Sequence, residues 1–434
     1  MNQHTATTYT QTIQQAHAAA SGSANPSLRQ IRERGIQAFG NLGLPHPKHE
    51  EYRYTPIVKT LEREFAEGFS PAPITLSPDE ARQFYFEGLQ ANRLVFINGH
   101  FSPEASQILS PEGEIRVRPL SEVSEQLQSS VSEPEKDGFV ALNTAYAEEG
   151  ALIEIPAKAE VSLPVVLHFL SDSRQGKTAA MPRNFIRLGR HAKASVVEVY
   201  NTIGESTSFL NALTEVDLAD GAQLDYFKIQ TEGDHALQVN TTEVQQASNS
   251  RFSATTLTLG GRVVRNNLTI AQNGSNCHSD MYGLYMLHGK QHVDNHTLID
   301  HRQPNSTSNE LYKGIMDDTS TGVFNGKIWV QQAAQKTNAF QSNKNILLTN
   351  GATIYTKPQL EIWADDVKCS HGCTTGQLDD EQVFYLRSRG IEASAARALL
   401  LYAFAADIIE HITIEQLKEH FLALINDKLE TRFV

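Results

Sequence analysis

The sequence predicts a mainly β protein, in which a long run of short strands is flanked by an N-terminal and a C-terminal helical region. Three observations carry this. From Ala151 to about residue 370 the apolar residues follow the two-residue period of strands, and turn-forming clusters break them repeatedly: HAKAS, DGAQ, SNSR, NGSN, HGKQ, DTSTG, AAQKT and NGAT. In the later part the clusters recur about every 16 residues (Gly274 to Gly289, Thr319 to Ala334, Ala334 to Gly351), and near Lys193, Gly221 and Asn249 at about twice that interval. On both sides of the run the period becomes helical. Such a pattern admits a sandwich or barrel, or a solenoid whose turns stack. The even, one-directional run favours the solenoid, a β-helix, because no single turn could bury its apolar face alone.

In chain order, residues 1 to about 24 are polar and rich in Ala, Ser and Thr, and are expected to fray. A helix starts at NPSLRQIRERGIQAF, with Asn25 as cap, Pro26 in the first turn, and Leu28, Ile31 and Phe39 near one face. GLPHPKHEEYRYT is a proline-broken segment. SPDEARQFYFEGL opens a second helix through a Ser77–Glu80 capping box with Pro78 in the first turn. RLVFINGHF reads as strand, SEVSEQLQSS as a short helix, and the strand run begins at ALIEIP. After Gly376, LDDEQVFYLRSRG has Asp379 or Asp380 as cap and Gly390 as stop, SAARALLLYAFAADIIEHI is capped by Ser394, and TIEQLKEHFLALINDKL carries a Thr413–Gln416 box. The expected units are 1–92, helical; 93–376, the β core; and 377–434, helical.

Among 434 residues, 40% are hydrophobic and 20% charged, enough for a large core. The formal charge of −13 argues against a nucleic-acid partner, since phosphate affinity needs a basic footprint. Three cysteines give no disulfide framework and fit a reducing compartment. The first residues lack a charged and then apolar leader, and no apolar run approaches the roughly 20 residues that span a bilayer. A cytoplasmic protein that does not enter the membrane is expected.

Four stretches invite a chemical reading. SDSRQGKT (171–178) has the tail of a phosphate-binding loop, but Ser171 stands where the first glycine belongs and Pro182 spoils the following helix, so a loop between strands is the better reading. Cys277, His278, His288, His292, His296 and His301 lie close together, and His292 and His296 share one face of a strand. They could bind zinc or iron, or stack as polar ladders. In KCSHGC, Cys369, His371 and Cys373 alternate, so on a strand all three project to one side. A soft metal site, or a buried inert cysteine, fits that spacing, but a fourth ligand is missing. ARALLLYAFAADII is apolar enough to pack within the chain or to dock a partner. The paired carboxylates that a β-helix carbohydrate enzyme would need sit mainly at helix starts, where capping explains them.

The stretch DDVKCSHGCTTGQLDDEQVFYLRSRGI (365–391) resembles the SufD branch of the SufB/SufD family of the SUF iron–sulfur cluster assembly machinery. GLPHPKHEEYRYT, RLVFINGHFSPE, ALNTAYAEEGALIEIP and ARALLLYAFAADII fall in the family's order, so the resemblance covers most of the chain. It departs from SufB, which reads like HEATTSK at CSHGCTTGQ and carries a sulfur-accepting cysteine on the strand upstream; here that strand, QLEIWADDV, has Trp363 and no cysteine. The resemblance implies a right-handed parallel β-helix. It implies a scaffold that is not itself an enzyme and that assembles with SufB and the ATPase SufC; the exposed edge of a β-helix could also pair with a second copy in isolation, as a homodimer. It also implies a transient iron–sulfur cluster at the SufB interface and no cofactor held by the isolated chain. It places His371 at that interface, with Cys369 in the same motif and Cys373 as the weakest candidate. SufC docking is expected on the C-terminal helices, at Leu399, Leu400, Leu401, Tyr402 and Phe404. The alternative is a stand-alone metal-binding protein or enzyme using the His278 to His301 region.

Overall fold

The computed structural model describes residues 8–20, 26–46, 48–70, 72–111, 113–120 and 132–432. Between Asn92 and Gly376 the described residues build a parallel β-solenoid of about eight turns. The described residues form two ten-stranded sheets; from Arg183 on, successive strands fall alternately into the two, and strands two apart in sequence pair in parallel. The register runs unbroken from Gln223 through Arg251, His278, Thr307 and Asn338 to Lys368. Side chains stacked on neighbouring coils are 29 residues apart at Asn266 and Asn295, and 31 apart at Glu310 and Gln341. The interval of about 16 residues in the sequence is therefore half a coil, and the doubled interval a full one.

The turns recur because one corner of the solenoid needs a left-handed residue on each coil. Lys158, His191, Gly221, Asn249, Asn276, Asn305 and Lys336 all have φ between 57° and 69°. The N–H of each donates to a carbonyl of the next coil, as from His191 to Asp220, Gly221 to Ser248 and Asn249 to Ser275. Asn and Gly tolerate that conformation best. At Gly221 a Cβ would also lie 2.3 Å from the His191 ring, so only glycine fits without movement.

Alternate residues of each strand enter the interior, where Phe96, Phe169 and Tyr200 stack at 5.1 and 5.0 Å. The remaining residues face outward and must be covered, since parallel sheets are stable with both faces buried. Among the described residues five α-helices precede Ala151: α1 (Thr8–Ala20), α2 (Pro26–Leu42), α3 (Ile57–Glu64), α4 (Pro78–Arg82) and α5 (Gly138–Tyr146). Of these, α1, α2, α3 and α5 cover the second sheet through Ile13, Phe39, Leu61 and Phe139. Three follow the last strand: α6 (Asp380–Ser388), α7 (Ala393–Ile409) and α8 (Glu415–Arg432). Leu401, Ile408, Phe421 and Ile425 of α7 and α8 pack on Val197, Ile229, Leu257, Leu284 and Ile315 of the first sheet.

The mainly β architecture with helices at both ends is as the sequence implies. Several local expectations change. The first residues do not simply fray: α1 is a helix whose Tyr9, Ile13 and His17 share one buried face, and His17 Nε2 lies 2.8 Å from the Ala145 carbonyl. Two helices had no clear signal. α3 starts behind Pro56 with no side-chain cap. α5 is buried almost all round, which erases the amphipathic period. The Ser77–Glu80 capping box forms, but its helix stops at Arg82. Asp379 caps α6 and Gly390 ends that region with φ +88°. Ser394 lies inside α7, which starts from Glu392 without a side-chain cap. The Thr413 hydroxyl donates to Asp225 instead of capping α8. The Asn25 cap and the helix at SEVSEQLQSS lie outside the described residues.

Candidate functional site

The strand Lys368–Gly376 is the last of the first sheet, so among the described residues one of its edges is unpaired. On its other edge it pairs in parallel with Asn338–Leu347, setting Cys369 beside Ala339, His371 beside Gln341 and Cys373 beside Asn343. Ala339, Gln341 and Asn343 are buried within the solenoid. Cys369, His371 and Cys373 therefore continue an interior-facing column, but no further coil lies over them. Cys369 is half-buried against the core, whereas His371 and Cys373 are exposed. Burial pushes the Cys369 thiol up, and a hydrogen bond with the Ala339 backbone opposes this in part. Two ring-nitrogen positions and two thiols thus lie along one open end, too few to close a metal site.

The surroundings of this end are apolar. Phe340, Trp363, Phe384 and Tyr385 are exposed there or on the adjoining α6, which buries none of its residues. The second sheet ends at Thr353–Ile362, so both sheets finish with an unpaired edge. Unpaired parallel edges are templates for strand addition unless something covers them.

The His278 to His301 region does not converge. His278 contacts Thr307 Oγ1 at 2.6 Å and Asp280 Oδ2 at 2.8 Å on the first sheet. His292 and His296 share the outward face of a second-sheet strand, and His296 lies between Asp294 (2.9 Å) and Glu51 (3.1 Å). His301 turns inward to Ser308 Oγ at 3.0 Å, where burial brings its pKa down to about 4. Cys277 is packed in a turn, its thiol 3.2 Å from the Ala247 and Gly274 carbonyls. Among the described residues no three His, Cys, Asp or Glu side chains come together as a metal-holding group.

The SDSRQGKT loop holds no phosphate cradle: Arg174 is engaged by Asp172 at 2.8 Å and Glu80 at 2.9 Å. On α7, Leu399 is exposed (49%) and Leu400 half-buried, whereas Leu401 is 1% exposed and faces the sheet. Tyr402 and Phe404 pack partly on the same cluster, and Lys313 Nζ reaches the Phe404 carbonyl at 2.8 Å. The apolar stretch thus serves internal packing on one side and leaves Leu399 on the other. No helix among the described residues is long and apolar enough to cross a membrane.

The segment GLPHPKHEEYRYT has a role that its composition did not reveal. It straps three coils of the second sheet. Thr55 donates to Asp294, Arg265 Nη1 donates to Asp294 at 2.7 Å and lies 3.9 Å over the Tyr52 ring, and Asn325 donates to Glu51 at 3.1 Å. Sequence reading also missed Gln341 and Glu310 behind His371. Counting back one coil at a time from His371 would have found both.

Residues 169–404 match the family model for the SUF system FeS cluster assembly, SufBD core domain, and residues 3–167 match that for the SufBD protein N-terminal region. An iron-sulfur cluster assembly SufBD family protein of Synechocystis is 33% identical, over 92% of this chain and 91% of its own. The iron-sulfur cluster assembly protein SufD of Escherichia coli K12 is 31% identical, over 91% of each. The chloroplastic protein ABCI7 of Arabidopsis thaliana is 27% identical, over 92% of this chain and 86% of its own.

Proposed function

The chain belongs to the SufBD family of SUF-system iron–sulfur cluster assembly proteins, and from that premise we propose that it acts as a SufD-type scaffold in the cytoplasm. On this reading it has no turnover of its own. It pairs with SufB through the open end of its solenoid, docks the ATPase SufC on its C-terminal helices, and contributes His371 to the nascent cluster. One observation carries the reading. Cys369, His371 and Cys373 line the interior column of a terminal strand whose outer edge is unpaired. An incomplete ligand set beside a free strand edge is the geometry of a site that a second protein completes.

The chemistry suits the cargo. Neutral imidazole is a competent iron ligand and a labile one, which a cluster that must leave requires. Cys369 is the better seated of the two thiols and Cys373 the more exposed, so we rank them in that order behind His371. ATP-driven movement of SufC, transmitted through α7 and α8 to the first sheet on which they pack, would open the interface.

The test is co-expression with SufB and SufC, anaerobic reconstitution with iron and sulfide, and absorption spectroscopy. His371→Ala should keep SufB pairing, SufC binding and its melting temperature while cluster content collapses. Cys369→Ser should lose less and Cys373→Ser least. A His371→Ala complex that loads a full cluster would overturn the assignment.

A further inference from the structure

Behind His371 the interior column continues into the solenoid. Gln341 is its register partner, and Glu310 is the partner of Gln341 one coil deeper. The Gln341 amide nitrogen donates to Glu310 Oε2 at 2.7 Å, and the Thr297 hydroxyl donates to Glu310 Oε1 at 2.6 Å. Gln341 is 4% exposed, yet its amide oxygen is buried without a partner among the described residues. A buried acceptor left without a donor costs stability and calls for an explanation. Turning the amide over would not help while Glu310 is ionised, because its oxygen would then face a carboxylate. Directly across, the Gly326 and Pro358 position leaves room for the amide and offers no side-chain donor. Gly326 stands there, where a Cβ would come within 2.2 Å of Gln341 Nε2, and Pro358 follows on the last coil. The next side chain in Gln341's own column is the His371 imidazole.

We infer that Gln341 is a positioning residue for His371: its pinned carbonyl oxygen accepts the ring N–H turned toward the interior, which fixes the tautomer and leaves the other ring nitrogen free as a ligand at the open end. A histidine that binds a metal through one nitrogen uses the other to donate to such an oxygen, and that bond selects both tautomer and ring orientation. Glu310 acts one step further back. By taking the Gln341 amide N–H it decides that oxygen, not nitrogen, is presented to the ring. The use of this bond rests on the cluster-building role proposed for His371; its existence does not.

The test uses the full-length chain labelled with 15N-histidine, whose long-range proton–nitrogen spectra distinguish the two ring tautomers. The His371 signals are those that vanish in His371→Ala. In the unsubstituted chain one tautomer should dominate by about tenfold, the bias that one net hydrogen bond gives. Gln341→Leu should release the ring to a mixture. Glu310→Gln should invert the preference, because the new amide donates to the Gln341 oxygen and turns its nitrogen toward His371. An unchanged tautomer ratio in Gln341→Leu, or in Glu310→Gln should Gln341→Leu fail to fold, overturns the inference. A full cluster in the His371→Ala complex would sink the proposed role of the site and leave this bond standing, so the two failures are distinguishable.

Discussion

Replacing Glu310 with Gln should stabilise the protein at alkaline pH and impair it at the same time. Glu310 lies inside the solenoid, where burial pushes its carboxyl from the ordinary value up to about 7, while the Thr297 and Gln341 hydrogen bonds hold it back in part. Its pKa in the fold is above that in the unfolded chain. The stabilisation linked to its proton is therefore fully present below about pH 4.5 and is lost as pH rises through about 7. At 1.36 kcal/mol per unit, the penalty for ionising it in place comes to ~3 kcal/mol above pH 8. A neutral amide never incurs that penalty. Urea denaturation midpoints at pH 5 and pH 8.5 measure the difference. Glu310→Gln should match the unsubstituted chain within ~1 kcal/mol at pH 5 and exceed it by ~2–3 kcal/mol at pH 8.5. An equal effect at both pH values, or destabilisation at pH 8.5, would refute the reasoning. Cluster yield should fall in the same variant, since the turned Gln341 amide would hold His371 in the wrong tautomer.

Asp294→Asn should cost ~3–5 kcal/mol, because Arg265, only 3% exposed, would be left as an unpaired buried charge. Burial alone would raise the Asp294 pKa, but Arg265 and His296 hold it well below the usual carboxylate range, so its contribution persists above about pH 4 and fades only below that; an acid titration of the melting temperature checks this. Leu399→Asp should abolish SufC binding in a pull-down while leaving circular dichroism unchanged, since Leu399 lies outside the packed face of α7. Deleting α7 and α8 would be a poorer test: it uncovers Val197, Leu257, Leu284 and Ile315, and each buried aliphatic side chain is worth about 1.5–3 kcal/mol.

The solenoid was legible because its constraint is local. Each coil needs a left-handed corner, and the chain supplies Asn or Gly at Gly221, Asn249, Asn276 and Asn305, so the repeat shows as turn clusters. Helix α5 was not legible for the opposite reason. Gly138 to Ala145 are all buried, and a helix without a polar face has no period to read. The histidines between His278 and His301 illustrate a limit of proximity along the chain. One coil sends neighbours to two sheets and both faces, so His296 meets carboxylates outside while His301 ends inside against Ser308.

The site obeys two periods, and one is far sharper in the sequence than the other. The period of two along a strand is short, and residue spacing alone puts Cys369, His371 and Cys373 on one side. The period of about one coil across strands is irregular, since corner lengths vary, and it alone connects His371 to Gln341 and Glu310. Those two are polar residues in a fold interior, where a carboxylate or an amide is expensive to bury unless each of its atoms is satisfied. Glu310 is satisfied by Thr297 and Gln341, whereas Gln341 is satisfied on the nitrogen side only. The unsatisfied atom stands where the column reaches the open end of the solenoid. The column stops one hydrogen bond short, at the residue whose imidazole the proposed chemistry requires to be oriented.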